Sequence, residues 1–103
     1  MLFLSIQWSI PAQAPLTYSY EFFNSSHGLP SSEIICLTKD KKGFLWIGTS
    51  AGLSRYDGYE FRVYVNDASS PSSISDNFIS ALYEDSDGFI WVGTVNGYLN
   101  RFN

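Results

Sequence analysis

Asp40 and Asp85 are the first residues in this sequence whose type and spacing suggest chemistry. Two carboxylates could serve as the acid and base of glycoside hydrolysis. Asp85-Ser86-Asp87-Gly88 opens like a calcium-binding loop. His27 is the sole histidine and Cys36 the sole cysteine, a candidate base and a candidate nucleophile. Aromatic residues make up 17% of the chain and could stack on sugar rings.

Each suggestion weakens once its partners are sought. In the calcium reading the glycine comes too early, and position twelve is Asn96 where a glutamate is needed. His27 has no second histidine or nucleophile beside it, so no catalytic constellation forms. Cys36 sits in the apolar run Ile34-Ile35-Cys36-Leu37 and reads as a small buried hydrophobe. A lone cysteine also excludes an internal disulfide. Aromatics in a repeating sequence more often fill its own core than meet a ligand. The expectation is a chain with no catalytic, cofactor-binding or metal-binding residues, and therefore not an enzyme.

The aspartates belong instead to a repeat. Asp40-Lys41-Lys42-Gly43-Phe44-Leu45-Trp46-Ile47-Gly48-Thr49-Ser50-Ala51-Gly52 returns as Asp85-Ser86-Asp87-Gly88-Phe89-Ile90-Trp91-Val92-Gly93-Thr94-Val95-Asn96-Gly97, at a period of 45. Ile34 pairs with Ile79 and Leu37 with Leu82; after a one-residue slip, Arg55 pairs with Arg101 and Tyr56 with Phe102. As equivalent positions of successive units, Asp40 and Asp85 are expected to lie far apart, which removes the catalytic pair. Lys41 and Lys42 in the first copy would repel a cation.

A period of this length in strand-rich sequence points to propeller blades. The fold class expected is all-β, with four-stranded antiparallel blades. Residues 34–65 form the first blade, with strands at 34–38, 44–48, 53–56 and 59–65. Residues 66–77 are an inter-blade loop with Pro71 and four serines between Ser69 and Ser73. Residues 78–103 form a second, incomplete blade with strands at 78–83, 89–93 and 98–102. Asp57-Gly58 predicts a two-residue type I′ hairpin. Tyr59, Phe61, Val63 and Val65 then face one way and Glu60, Arg62 and Tyr64 the other. Residues 15–33 hold a strand at 16–23, read as closing a larger ring, and a turn-rich loop. Two repeats are fewer than the three a stacked array usually needs, so further blades are the expected partners.

The recurring residues have physical reasons. Gly43 and Gly88 suit turns needing positive φ. Asp40 and Asp85 begin those turns, where a carboxylate accepts backbone N–H groups two or three residues on. Trp46 and Trp91 can fill the gap between blades. Gly48 and Gly93, inside strands, mark close approach by another chain segment. Thr49 and Thr94 suit strand ends, and Gly52 and Gly97 the turns that follow.

Residues 1–14 read as a secretory signal peptide. An apolar run, Met1 to Ile10, is broken by Pro11 and followed by Ala12-Gln13-Ala14. No Lys or Arg precedes the run, and an apolar N-terminal strand is the competing reading. Six basic against ten acidic residues give a net charge of −4, which argues against nucleic acid or an anionic membrane as partner.

Gly28-Leu29-Pro30, Asp40-x-x-Gly43-Phe44-Leu45-Trp46-Ile47-Gly48-Thr49 and Gly52-Leu53-Ser54-Arg55-Tyr56-Asp57-Gly58 resemble the two-component regulator propeller repeat. The Asp turn also resembles the Asp-box of sialidases, itself structural. The resemblance implies the periplasmic sensor of a hybrid two-component system that detects oligosaccharides. It also implies a membrane helix, histidine kinase, receiver and DNA-binding domain in the parent, anchored and dimeric. An enzymatic propeller with its active site in other blades, and a structural or protein-interaction propeller, are the competing readings. His27, Asn77 and Asn96 are the candidate ligand contacts, expected at one end of the blades where His27, the 66–77 loop and the Thr–Gly turns gather.

Overall fold

The computed structural model describes residues 21–103. The signal-peptide reading of 1–14, and the strand expected at 16–23 up to residue 20, lie outside the described residues. Residues 21–23 are not strand.

Among the described residues, seven strands form two antiparallel sheets. The first joins β1 (Ile34–Lys39), β2 (Leu45–Thr49), β3 (Gly52–Tyr56) and β4 (Phe61–Tyr64) in chain order. The second joins β5 (Ile79–Glu84), β6 (Ile90–Thr94) and β7 (Leu99–Phe102), again in order. The molecule is all-β, built as propeller blades. Among the described residues the one helical segment is a single 3₁₀ turn, Ser25–His27.

Antiparallel register fixes which residues share a face. Thr38, Trp46, Arg55 and Arg62 stand opposite one another, as do Cys36, Gly48, Leu53 and Tyr64. This face packs on the face of the second sheet that carries Leu82, Ile90, Val92 and Phe102. Trp46, Leu53, Ile74, Ile79, Ile90 and Val92 make the buried core between the sheets. Trp46 stacks near Tyr64 with ring centroids 6.1 Å apart and meets Phe102 edge-on at 5.1 Å. Phe102 also meets Tyr64 at 4.7 Å, closing an aromatic triangle across the interface.

Ile79 and Leu82 are three residues apart, yet both turn toward the first sheet. A β-bulge between Ile79 and Ala81 supplies the extra residue, and β1 carries the same bulge between Ile34 and Cys36. The bulge aims Ile79 at Gly48. A Cβ on Gly48 would stand 2.6 Å from both Ile79 Cγ2 and Cys36 Sγ, so only glycine fits. A Cβ on Gly93 would meet nothing nearer than Ser80 Oγ at 3.6 Å. The close approach expected at both glycines is present at Gly48 alone.

The hairpin after β3 differs from the two-residue turn expected at Asp57-Gly58. Tyr56 pairs with Phe61, leaving a four-residue connection, and β4 starts at Phe61 instead of Tyr59. The Asp57 carboxylate accepts from the backbone N–H of Tyr59 and of Glu60, at 2.8 and 2.9 Å. Satisfying both donors favours the wider loop and leaves Tyr59 94% exposed. In β4 the side chain turned into the inter-sheet core is Tyr64; Val63, on the more apolar face, stays exposed.

Candidate functional site

The repeated Asp turns sit together at one end of the two sheets. In the first, Asp40 Oδ1 accepts the backbone N–H of Lys42 and of Phe44, both at 2.9 Å. Its Oδ2 accepts the indole N–H of Trp46 at 2.8 Å. In the second, Asp85 Oδ1 accepts from Asp87 and Phe89 at 2.9 and 3.0 Å, and Oδ2 from the Trp91 indole at 2.8 Å. The backbone donors are two and four residues on, where two or three was expected. The glycine N–H three residues on bonds the aspartate's backbone carbonyl instead. Gly43 and Gly88 take φ of +93° and +90°, as a turn folding the strand back over the carboxylate requires.

These bonds set the carboxyl chemistry. Burial pushes Asp40 upward, but the Trp46 indole and the backbone N–H groups of Phe44 and Lys42 together outweigh it and hold it below the usual range. At Asp85 the Trp91 indole acts first in the same direction, and the N–H groups of Phe89 and Asp87 add to it. Both groups are thus held as anions, occupied by their own turns, with no proton to give.

The turns are neighbours, not distant as the repeat spacing suggested. Lys41 donates its backbone N–H to Glu84 at 3.1 Å and its Nζ to the Ser86 carbonyl at 2.8 Å. Sheets packed face to face are only about 10 Å apart, so equivalent turns meet. The segment that opened like a calcium loop therefore receives an ammonium group. Among the described residues no three His, Cys, Asp or Glu side chains gather as a metal site. Cys36 lies partly buried against Gly48, and burial raises its thiol above the ordinary value.

Sequence reasoning missed two features of these turns. One is the Asp–indole bond, whose signal was the identical six-residue spacing of Asp40–Trp46 and Asp85–Trp91. The other is a guanidinium over the rings. Arg55 lies 4.6 Å from the Phe44 centroid and 5.7 Å from that of Trp46. Arg101 repeats this over Phe89 and Trp91 at 4.4 and 5.9 Å. Both arginines had been paired in the repeat without a role.

At the other end of the sheets the threonines close hairpins. Thr49 Oγ1 donates to the Gly52 carbonyl at 2.8 Å, and Thr94 Oγ1 to Asn96 Oδ1 at 2.7 Å. Asn77 Oδ1 accepts the Asn66 backbone N–H at 2.6 Å, tying the 66–77 loop shut. The Val95 N–H donates to the Phe78 carbonyl at 3.1 Å, so Asn77 and Asn96 stand near one another.

His27 does not join them. Its Nδ1 accepts the Asn24 N–H at 3.1 Å, and its ring meets Phe23 with centroids 5.7 Å apart. Phe23 in turn packs on Tyr56 and Phe61, and a Cβ on Gly28 would lie 3.4 Å from Phe61. This apolar anchoring carries His27 toward the Tyr56–Phe61 end of the first sheet, away from Gly52.

A cleft of about 530 Å³ opens between the sheets at their outer edge. Its lining includes Tyr64, Val65 and Ser73 from the first sheet and the following loop, with Asn100 and Phe102 on the free edge of β7.

Two stretches, residues 28–51 and 73–96, match the model of the family described as two component regulator propeller. Histidine kinase P4 of Formosa agariphila is 39% identical over 75 residues, covering 73% of this chain and 5% of that protein. Among solved structures, the extracellular domain of a hybrid two component system from B. thetaiotaomicron superimposes with a TM-score of 0.75 and 34% identity. That match covers 81% of this chain and 12% of the other. The chain thus spans a small fraction of the length of each protein it resembles.

Proposed function

This chain carries two repeats of the two-component regulator propeller, and from that premise we propose that it is a section of the periplasmic, ligand-sensing propeller of a hybrid two-component sensor kinase. The observation that supports it most is the 34% identity and TM-score of 0.75 to an extracellular domain of such a system. The segment binds and signals; its two repeated carboxylates are engaged by indoles and backbone donors, which disfavours an acid–base role.

The stimulus is an oligosaccharide. Asn77 and Asn96, together at the loop end, are its proposed contacts, with the other blades of the parent completing the site. The parent is membrane-anchored and dimeric, and its kinase responds to occupancy of the propeller. The test is a titration of the purified parent sensor with a panel of oligosaccharides by calorimetry, alongside kinase autophosphorylation. One sugar that binds and changes phosphorylation, with affinity weakened at least tenfold by Asn77→Ala or Asn96→Ala, supports the reading. Binding by no sugar in the panel overturns the oligosaccharide assignment, and turnover of a bound sugar overturns the sensor in favour of an enzyme.

A further inference from the structure

We propose that His27 is a pH switch: its neutral ring caps the 3₁₀ turn Ser25–His27 and keeps Phe23 seated on the first sheet, and its protonated ring releases both. The hydrogen bond at the centre of this device has one possible sense. A backbone N–H can only donate, so the Asn24 N–H, 3.1 Å from His27 Nδ1, requires a bare nitrogen there, with the ring proton on Nε2. The bond is half of a reciprocal cap. Asn24 Oδ1 accepts the Ser26 N–H at 2.9 Å, while the His27 ring reaches back to the Asn24 backbone. A second proton on the ring sets N–H against N–H, and the returning half of the cap is lost.

That half of the cap holds more than the turn. The His27 ring stands edge-on to Phe23, with centroids 5.7 Å apart. Phe23 in turn lies 5.1 Å from Tyr56 and 5.5 Å from Phe61, which stack on each other at 4.5 Å. Asn24 adjoins Phe23, so the bond that fixes the Asn24 N–H also fixes the direction from which Phe23 enters the stack. Without it Phe23 keeps only its apolar contacts, and it is already 41% exposed.

The surrounding groups leave the pH window to His27. Histidine is the side chain that ordinarily changes charge between about pH 5 and 8, and His27 is the sole histidine of the chain. Tyr56 and Phe61 share a cross-strand row with Leu45 and Lys39. The Tyr56 hydroxyl donates to the Gly58 carbonyl at 3.0 Å. Asp57 and Glu60 stand in the loop joining Tyr56 to Phe61, and Glu21 belongs to the segment of Phe23. Glu33 follows Ser32, whose hydroxyl accepts the Ser25 N–H at 3.1 Å. The N–H groups of Glu60 and Tyr59 hold the Asp57 carboxyl below the usual range, so it stays anionic across the window. The second repeat supplies the contrast. At the 45-residue period the counterpart of His27 is Ser72, which does not titrate, and that of Phe23 is Ala68. Asp67 takes the Ser69 N–H there, and the Ser69 hydroxyl and N–H hold its carboxyl below the usual range. The switch belongs to the first repeat.

The test is an NMR titration of the full chain from about pH 8 to about pH 5, the range in which histidine takes up its second proton. It follows the His27 ring protons and the nuclear Overhauser contacts between the Phe23 and Phe61 rings. Those contacts are expected at the upper end and lost at the lower, with the midpoint at which His27 itself titrates. His27→Gln offers the Asn24 N–H a side-chain oxygen at every pH, as glutamine does in a capping box, and should keep the contacts throughout. His27→Ala has no acceptor and should lack them throughout, while the resonances of β1–β7 stay dispersed. Contacts that survive protonation of the wild-type ring overturn the proposal. So does their loss at low pH in His27→Gln, which hands the response to the carboxylates, or their persistence in His27→Ala.

Discussion

Ile79 of the second sheet and Gly48 of the first share one packing position: a single methyl on the glycine would come within 2.6 Å of the isoleucine. Gly48→Ala is expected to destabilise the chain by about 1–3 kcal/mol through overpacking. Gly93→Ala, at the equivalent place, would meet only ordinary contacts at 3.6 Å and beyond and should change stability by less than about 0.5 kcal/mol. Urea titrations of both variants measure the difference. Equal losses would show that backbone conformation, not the neighbour, decides the glycine.

The two tryptophans are equivalent in sequence and unequal in place. Trp46 is 3% exposed within the aromatic triangle, whereas Trp91 lies on the free face, partly exposed. Trp46→Ala should cost about 3–5 kcal/mol, as large core aromatics do, and Trp91→Ala distinctly less. Thermal melts of the two variants compare them. Full stability with loss of sugar binding in Trp46→Ala would make the ring a ligand platform.

Asp40→Ala should leave the Trp46 indole N–H without its acceptor, at a cost of about 1–3 kcal/mol. Asp40→Asn keeps an oxygen for one of the donors and should lie between. Indole fluorescence, followed through denaturation, reports both the changed environment of the ring and the shift in midpoint.

Acid should loosen both turns. Asp40 and Asp85 titrate below the ordinary carboxylate range because the folded state donates hydrogen bonds to their charged forms. The unfolded chain therefore binds protons first. The stability these groups contribute is fully present above the unfolded value of about 3.9 and is lost as pH falls through the lower folded values. Melting temperature is expected to drop below about pH 4, and less steeply in the Asp40→Asn, Asp85→Asn double variant. A double variant with an unchanged acid slope would assign the effect to other carboxylates.

Export can be read directly from mass. If residues 1–14 are a signal peptide, periplasmic product begins at Pro15. Intact-mass spectrometry of the parent's tryptic N-terminus decides it, and a retained Met1 in exported protein refutes the assignment.

Much of the fold was legible because the determinants are local and occur twice. The 45-residue spacing, the Gly43 and Gly88 turns and the apolar strand Phe44–Gly48 each announce sheet structure without tertiary information. What could not be read depends on contacts between segments distant in sequence or on competition within a loop. Asp57 chooses a four-residue loop because its carboxylate captures two N–H groups, a preference the Asp-Gly pair conceals. His27 is placed by Phe23 settling on Tyr56 and Phe61, thirty and more residues away. The nearness of Asp40 and Asp85 follows from sheet stacking, to which sequence distance is no guide.

The paired bulges in β1 and β5 have a bearing on misfolding as well. A flat edge strand is a template for uncontrolled strand addition, and a bulge spoils the template by kinking and twisting it. These two strands are edges that lie against each other, and both are kinked at the same repeat position. The opposite edges, β4 and β7, are short but carry no register shift. Among the described residues, the kinks in β1 and β5 thus work against cross-strand recruitment at the edges where the two sheets meet.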